Sequence, residues 1–84
     1  MIRKEFVLPP ELPVSRMLAA QLVQLTAKYE SRIMIETGQK VVNGKSLLGL
    51  LSLYNELDKP LQLTVDGQDE EVAAEAVLAF VGAK

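Results

Sequence analysis

Polar and apolar side chains alternate along IRKEFVL (2–8), so the chain opens on a strand. Its better apolar face is Ile2, Phe6 and Leu8, with Lys4 on the same side. Pro9-Pro10 ends the strand, because proline has no amide to give to a ladder, and PPELPV (9–14) follows as a stiff loop. From Arg16 the period changes. Leu18, Leu22, Leu25 and Tyr29 recur in three- and four-residue steps, widened by Ala19, Val23 and Thr26, which predicts a helix over 16–29. RIMIETG (32–38) returns to alternation, with Ile33 and Ile35 on one face. Gly38 then turns the chain into QKVVN (39–43), a hairpin.

NGKS (43–46) breaks the pattern, and LLGLLSLYNEL (47–57) predicts a second, leucine-crowded helix. Gly49 inside it costs about 1 kcal/mol against alanine, so its small size points to close approach of another backbone. LQLTVDG (61–67) is a half-buried strand with Leu61, Leu63 and Val65 inward, turned by Asp66-Gly67. A third helix over 69–81 starts with Asp69, Glu70 and Glu71 at its positive end. Its expected apolar face is Val72, Ala73, Ala76, Val77 and Phe80, and Gly82 stands in the C′ position. The order β-α-β-β-α-β-α, with one-faced strands and amphipathic helices, fits a two-layer α+β sandwich with helices on one side of a sheet, as a single domain over residues 1–84.

Composition narrows the chemistry. The 84 residues include no cysteine, which removes disulfides and thiolate metal sites, and no histidine, which removes imidazole acid–base chemistry. Residues 1–45 carry seven basic and four acidic side chains and residues 46–84 carry two and seven, for a net charge of −2. This dilute asymmetry, with no Lys/Arg run, argues against direct nucleic-acid binding. No run approaches the roughly 20 apolar residues of a membrane helix, so a cytoplasmic protein without a membrane role is expected. Asp66, Asp69, Glu70, Glu71 and Glu75 lack the alternating ligand order of a calcium loop, and helix-dipole stabilisation explains most of them. No metal or cofactor is expected. Gly44-Lys45-Ser46 lacks the upstream glycine frame of a phosphate loop.

Two serines open helices. Ser15 reads as an N-cap, without a capping box because residue 18 is leucine; the other reading is an anion or phosphorylation role beside Arg16. No base stands next to it, so a serine-nucleophile enzyme is not expected. Ser46 is likewise a cap or a modified residue. Lys40, Lys45 and Arg16 are expected on a common rim near both helix starts. The leucines of 47–57 are too many for one short helix to bury, so they divide between core and surface.

The phrases LVQLTAKYESRI, NGKSLLGLLSL and LQLTVDGQDEEVAAEAV, in this order and spacing, resemble the HPr family, the small phosphocarrier proteins of the sugar phosphotransferase system. The resemblance implies a four-stranded antiparallel sheet with three helices on one face. It also implies that the carrier site is degenerate. The family's histidine-alanine-arginine-proline falls on Ser15, Arg16, Met17 and Leu18, so the phosphate-accepting imidazole and its arginine are both replaced. The chain is then similar to the catabolite-repression branch that lacks the active histidine. In that branch, Ser46 is the regulatory serine modified by an ATP-dependent HPr kinase/phosphorylase, and the product docks on a LacI-type catabolite control regulator. The expected docking residues are Met17, Lys45, Ser46, Leu47, Leu48 and Leu51. Met17 in place of arginine weakens that analogy, because a thioether cannot replace a guanidinium's fork of donors. This leaves open a phosphate-independent interaction module, or a decoy that binds Enzyme I without turnover.

Overall fold

The structure is a computed structural model and describes residues 1–9, 15–38, 40–53 and 59–82. Its elements run β1 (Ile2–Phe6), α1 (Arg16–Thr26), β2 (Arg32–Glu36), β3 (Val41–Asn43), α2 (Leu47–Leu51), β4 (Leu61–Asp66) and α3 (Glu70–Val81). The four strands form one antiparallel sheet in the order β1-β4-β2-β3. Register puts Ile33 opposite Val65, Ile35 opposite Leu63 and Phe6 opposite Leu61. One face of the sheet is therefore continuous hydrocarbon, and all six side chains are at most 4% exposed. The helices cover this face. The opposite face carries rows such as Arg3, Thr64, Met34 and Asn43, with no described element over it. Lys4 points to the helix side of the edge strand β1 yet stays exposed, a charge that discourages edge-to-edge pairing.

The element order and the α+β class agree with the pattern read from the chain; the wide stripe expected of α1 is the side that packs inward, whereas α3 is turned from its expected face. In α1 the buried residues are Ala19, Leu22 and Thr26, whereas Leu18, Leu25 and the more distant Tyr29 are half-buried flanks. In α3 they are Ala73, Ala74, Val77 and Val81; Val72 is 58% exposed, and Ala76 and Phe80 are half-buried. Apolar residues occupy more than half of the α3 circumference, so period alone leaves its rotation open. Helix α1 also ends at Thr26 rather than 29, with Lys28 and Tyr29 bonded three residues back in a tightened turn. Helix α2 ends at Leu51, where the Ser52 hydroxyl donates to the Gly49 carbonyl, and residues 54–57 of the expected helix lie outside the described residues. Of the expected loop 9–14, all but Pro9 also lie outside them. Gly82 closes α3 in the left-handed conformation, φ 66°, as its C′ position requires.

Helix-dipole stabilisation is a poor description of Asp69. Its side chain makes no capping bond to its own helix. It instead accepts the Glu30 N–H, the Ser31 N–H (both 2.9 Å) and the Ser31 hydroxyl, tying the start of α3 to the α1–β2 connection. Gly67 makes this approach possible, since a Cβ there would stand 2.5 Å from Ser31 Oγ, and its φ of 156° disfavours any other residue. Glu70 is engaged as well. It accepts the amino-terminal ammonium at 2.8 and 3.0 Å and the Gly67 N–H at 3.2 Å. The Ser31 hydroxyl and the Glu30 amide hold the Asp69 carboxyl below its ordinary range, and the ammonium does the same for Glu70. A carboxyl with a depressed folded-state pKa contributes stability that is present at neutral pH. That contribution is lost as pH falls below about 4 and through the depressed value. Urea denaturation at pH 7 and at pH 3 should therefore show a smaller loss of stability on acidification for Asp69→Asn than for the wild type. Equal losses would show that the Ser31 clamp is not carried by the charge.

Candidate functional site

Each serine is held at its helix start by its own cap. Ser15 has extended backbone, φ −154° and ψ 169°, and its Oγ accepts the Leu18 N–H at 3.2 Å. Ser46, at φ −107° and ψ 117°, accepts the Gly49 N–H at 3.1 Å. In both cases a hydroxyl oxygen satisfies an amide that has no partner within the helix. The Asn43–Ser46 turn is tight: Asn43 Oδ1 accepts the Lys45 N–H at 2.8 Å, and the Asn43 carbonyl accepts the Ser46 N–H at 3.0 Å. A Cβ on Gly49 would lie 3.3 Å from Val42 Cβ and 3.4 Å from the Asn43 carbonyl, so this glycine lets α2 sit against β3 as its size suggested.

The two serines are not neighbours. The residues around Ser46 bond to the far end of α1: the Thr26 hydroxyl reaches the Gly44 carbonyl, and Lys45 Nζ reaches the Tyr29 carbonyl at 2.6 Å. At the other end, Ser15 and Leu18 share an apolar cavity of about 50 Å³ with Leu50 and Leu53. Helix α2 thus runs back alongside α1, with Ser46 toward the carboxyl end of α1 and Ser15 at its amino end. The expected rim of Arg16, Lys40 and Lys45 is therefore divided: Lys45 lies at the far end of α1 from Arg16, whereas Lys40 bonds the end of α2 that runs toward the start of α1. Lys45 Nζ donates to the Tyr29 carbonyl in the turn just past α1, and Lys40 Nζ donates to the Ser52 carbonyl at the carboxyl end of α2, 2.9 Å away.

The leucines divide as expected. Leu50 and Leu53 are core, Leu51 packs half-buried against it, and Leu47 and Leu48 are 37% and 80% exposed. Met17 is 70% exposed on the first turn of α1, beside an exposed Arg16. Of the expected docking residues, then, Leu47 and Leu48 adjoin Ser46, Leu51 lies farther along α2, and Met17 stands at the opposite end of α1. Lys45 is half-buried with its ammonium on the Tyr29 carbonyl. Sequence reading placed Thr26 in an apolar stripe and missed its bond to the Gly44 carbonyl. The signal was a hydroxyl on the buried face of a helix, which needs an acceptor from elsewhere. Among the described residues no group of three or more carboxylates could hold a metal ion, and no helix is long and apolar enough to cross a membrane.

The chain is thus a four-stranded open-faced sandwich whose first two helices both start on a serine cap, the second after a tight Asn-Gly-Lys-Ser turn. The family model described as the PTS HPr component phosphorylation site matches residues 2–83, and the chain belongs to the HPr family. It is 41% identical over 63 residues to the HPr-like protein Crh of Halalkalibacterium halodurans, covering 75% of each chain. The HPr of Bacillus anthracis superposes with a TM-score of 0.85 at 31% identity, covering 95% of both chains. Crh, the catabolite repression containing protein of Bacillus subtilis, superposes with a TM-score of 0.75 at 29% identity, covering 98% of this chain and 94% of that one.

The caps give a direct test of the geometry. Ser15→Ala and Ser46→Ala should each cost about 1 kcal/mol in urea denaturation, and Ser15→Asp should retain most of the stability. A cost near zero at either position would show that its hydroxyl does not hold the helix start.

Proposed function

We propose that this chain is a cytoplasmic regulatory protein of the HPr family that does not carry phosphate for sugar uptake, is not an enzyme, and is switched by phosphorylation of Ser46. The observation that carries this reading is the pairing of two facts. The chain has no histidine, and its Ser46 sits at a helix start beside the exposed Leu47 and Leu48. A phosphoryl relay needs a link of high transfer potential, such as the N–P bond of a phosphohistidine, whereas a serine phosphate is a comparatively inert ester suited to a lasting signal. The relatives named Crh, one of them a catabolite repression protein, support a role in carbon catabolite regulation.

In this reading an ATP-dependent HPr kinase/phosphorylase modifies Ser46, and the phosphoprotein docks on a LacI-type catabolite control regulator. The phosphate adds a charge near −2 and strong acceptor oxygens for the partner's arginines, and the adjoining leucines supply apolar contact. The protein touches the regulator, not DNA, and has no membrane role.

A second reading is favoured by Met17, exposed on a helix start where the phosphocarriers are expected to present arginine. Here the protein docks without phosphate through Met17, Leu47, Leu48 and Leu51. Titration against the regulator separates the two. Kinase-treated wild type should bind at least about tenfold more tightly than untreated protein, and Ser46→Ala should lose that gain. Leu48→Asp should weaken binding in both readings, because Leu48 is the most exposed leucine among the described residues. Tight binding by Ser46→Ala, abolished only by Leu48→Asp, would replace the switch with a constitutive module. Capture of Enzyme I alone would indicate the decoy.

A further inference from the structure

The turn that carries Ser46 is held by a side chain from another element. Thr26, on the last turn of α1, is fully buried, and its Oγ1 lies 3.0 Å from the Gly44 carbonyl and 3.1 Å from the Val23 carbonyl. A threonine hydroxyl has one proton to donate. The Val23 carbonyl already accepts the Ala27 N–H at 2.9 Å, whereas no other donor to the Gly44 carbonyl occurs among the described residues. The proton is therefore best spent on Gly44, whose carbonyl would otherwise be buried without a partner. On the other side of the same residue, the Gly44 N–H donates to the Ile33 carbonyl at 2.7 Å. A Cβ at this position would stand 2.7 Å from Ile33 Cγ2, so only glycine lets the turn lie this close to the sheet. Residue 44 is thus fixed by its N–H to β2 and by its C=O to α1. Two residues later the chain reaches Ser46, whose Oγ must meet the Gly49 N–H.

We propose that Thr26 is a positioning residue for Ser46: its buried hydroxyl, through the Gly44 carbonyl, sets the 43–46 turn so that Ser46 is presented in one orientation to the enzyme that modifies it. This rests on the reading of Ser46 as the modified residue. A purely packing role for Thr26 makes a different prediction, because valine fills the same space and serine does not. The closing experiment compares Thr26→Val, which keeps the shape and removes the donor, with Thr26→Ser, which keeps the hydroxyl and loses a methyl group. Amide hydrogen exchange is read at Ser46 and Gly49 against Val77 in the core, and kcat/KM for Ser46 is measured with ATP and an HPr kinase.

Thr26→Val should raise exchange at Ser46 and Gly49 relative to Val77, and lower kcat/KM, each by about five- to tenfold. Thr26→Ser should stay within about twofold of wild type in both. Loss in Thr26→Ser with retention in Thr26→Val would overturn the proposal in favour of packing, as would exchange that rises equally at Val77. If wild type accepts no phosphate, the reading of Ser46 as a switch fails and the exchange measurement alone decides about Thr26. A selective rise at Ser46 and Gly49 in Thr26→Val then still supports the positioning, and no rise overturns it.

Discussion

The fold depends on one constraint: Ile33 and Ile35 of β2 and Leu61, Leu63 and Val65 of β4 share a face of the two central strands and must be covered. Three of these five side chains are completely buried. Leaving such a face in water costs about 1.5–3 kcal/mol for each large side chain, so no arrangement that exposes it competes. The helices take their places over that face, and their own small residues decide how closely they approach. Ala19 on α1 and the Ala73-Ala74 pair on α3 present little bulk where those helices meet the core. The clamp of Asp69 on Ser31 then fixes α3 along its axis, and the bond from Thr26 to Gly44 fixes the turn before α2.

That arrangement gives the serine turn its character. Because α2 runs back along α1, Ser46 is placed at the carboxyl end of α1, far from Ser15 and in reach of Thr26 and Lys45. The two helix starts, similar in sequence terms, have different surroundings. Ser15 has an exposed, partly apolar first turn and an apolar cavity beneath it, whereas Ser46 belongs to a turn bonded on three sides. A modification at Ser46 would meet a preformed surface with Leu47 and Leu48 beside it.

How much of this was legible in the chain follows from which interactions are local. Alternation identified β2 and β4 and their buried residues, because a period of two leaves only two faces to choose between. Both N-caps and the glycine at position 82 were legible for the same reason, since each acts within a few residues of itself. The rotation of α3 was not legible. When apolar residues cover most of a helix, as in EVAAEAVLAFV, the period leaves several faces open, and the choice among them rests on contacts with other elements. The antiparallel run of α2 along α1 was equally hidden, and it separated residues that the sequence reading had grouped on one rim. The family resemblance supplied the architecture, but it could not supply the bond from the Thr26 hydroxyl to the Gly44 backbone carbonyl, 18 residues away.

A protein that signals through a serine and does not relay phosphate should distinguish between two phosphoryl sources, and intact-mass measurement reads that distinction directly. The chain is incubated in parallel with an HPr kinase and ATP, and with Enzyme I and its phosphoryl donor. One added phosphoryl group in the first reaction, mapped to Ser46, with none in the second, is the expected result. Phosphate transferred from Enzyme I, or no phosphate from ATP, would contradict it.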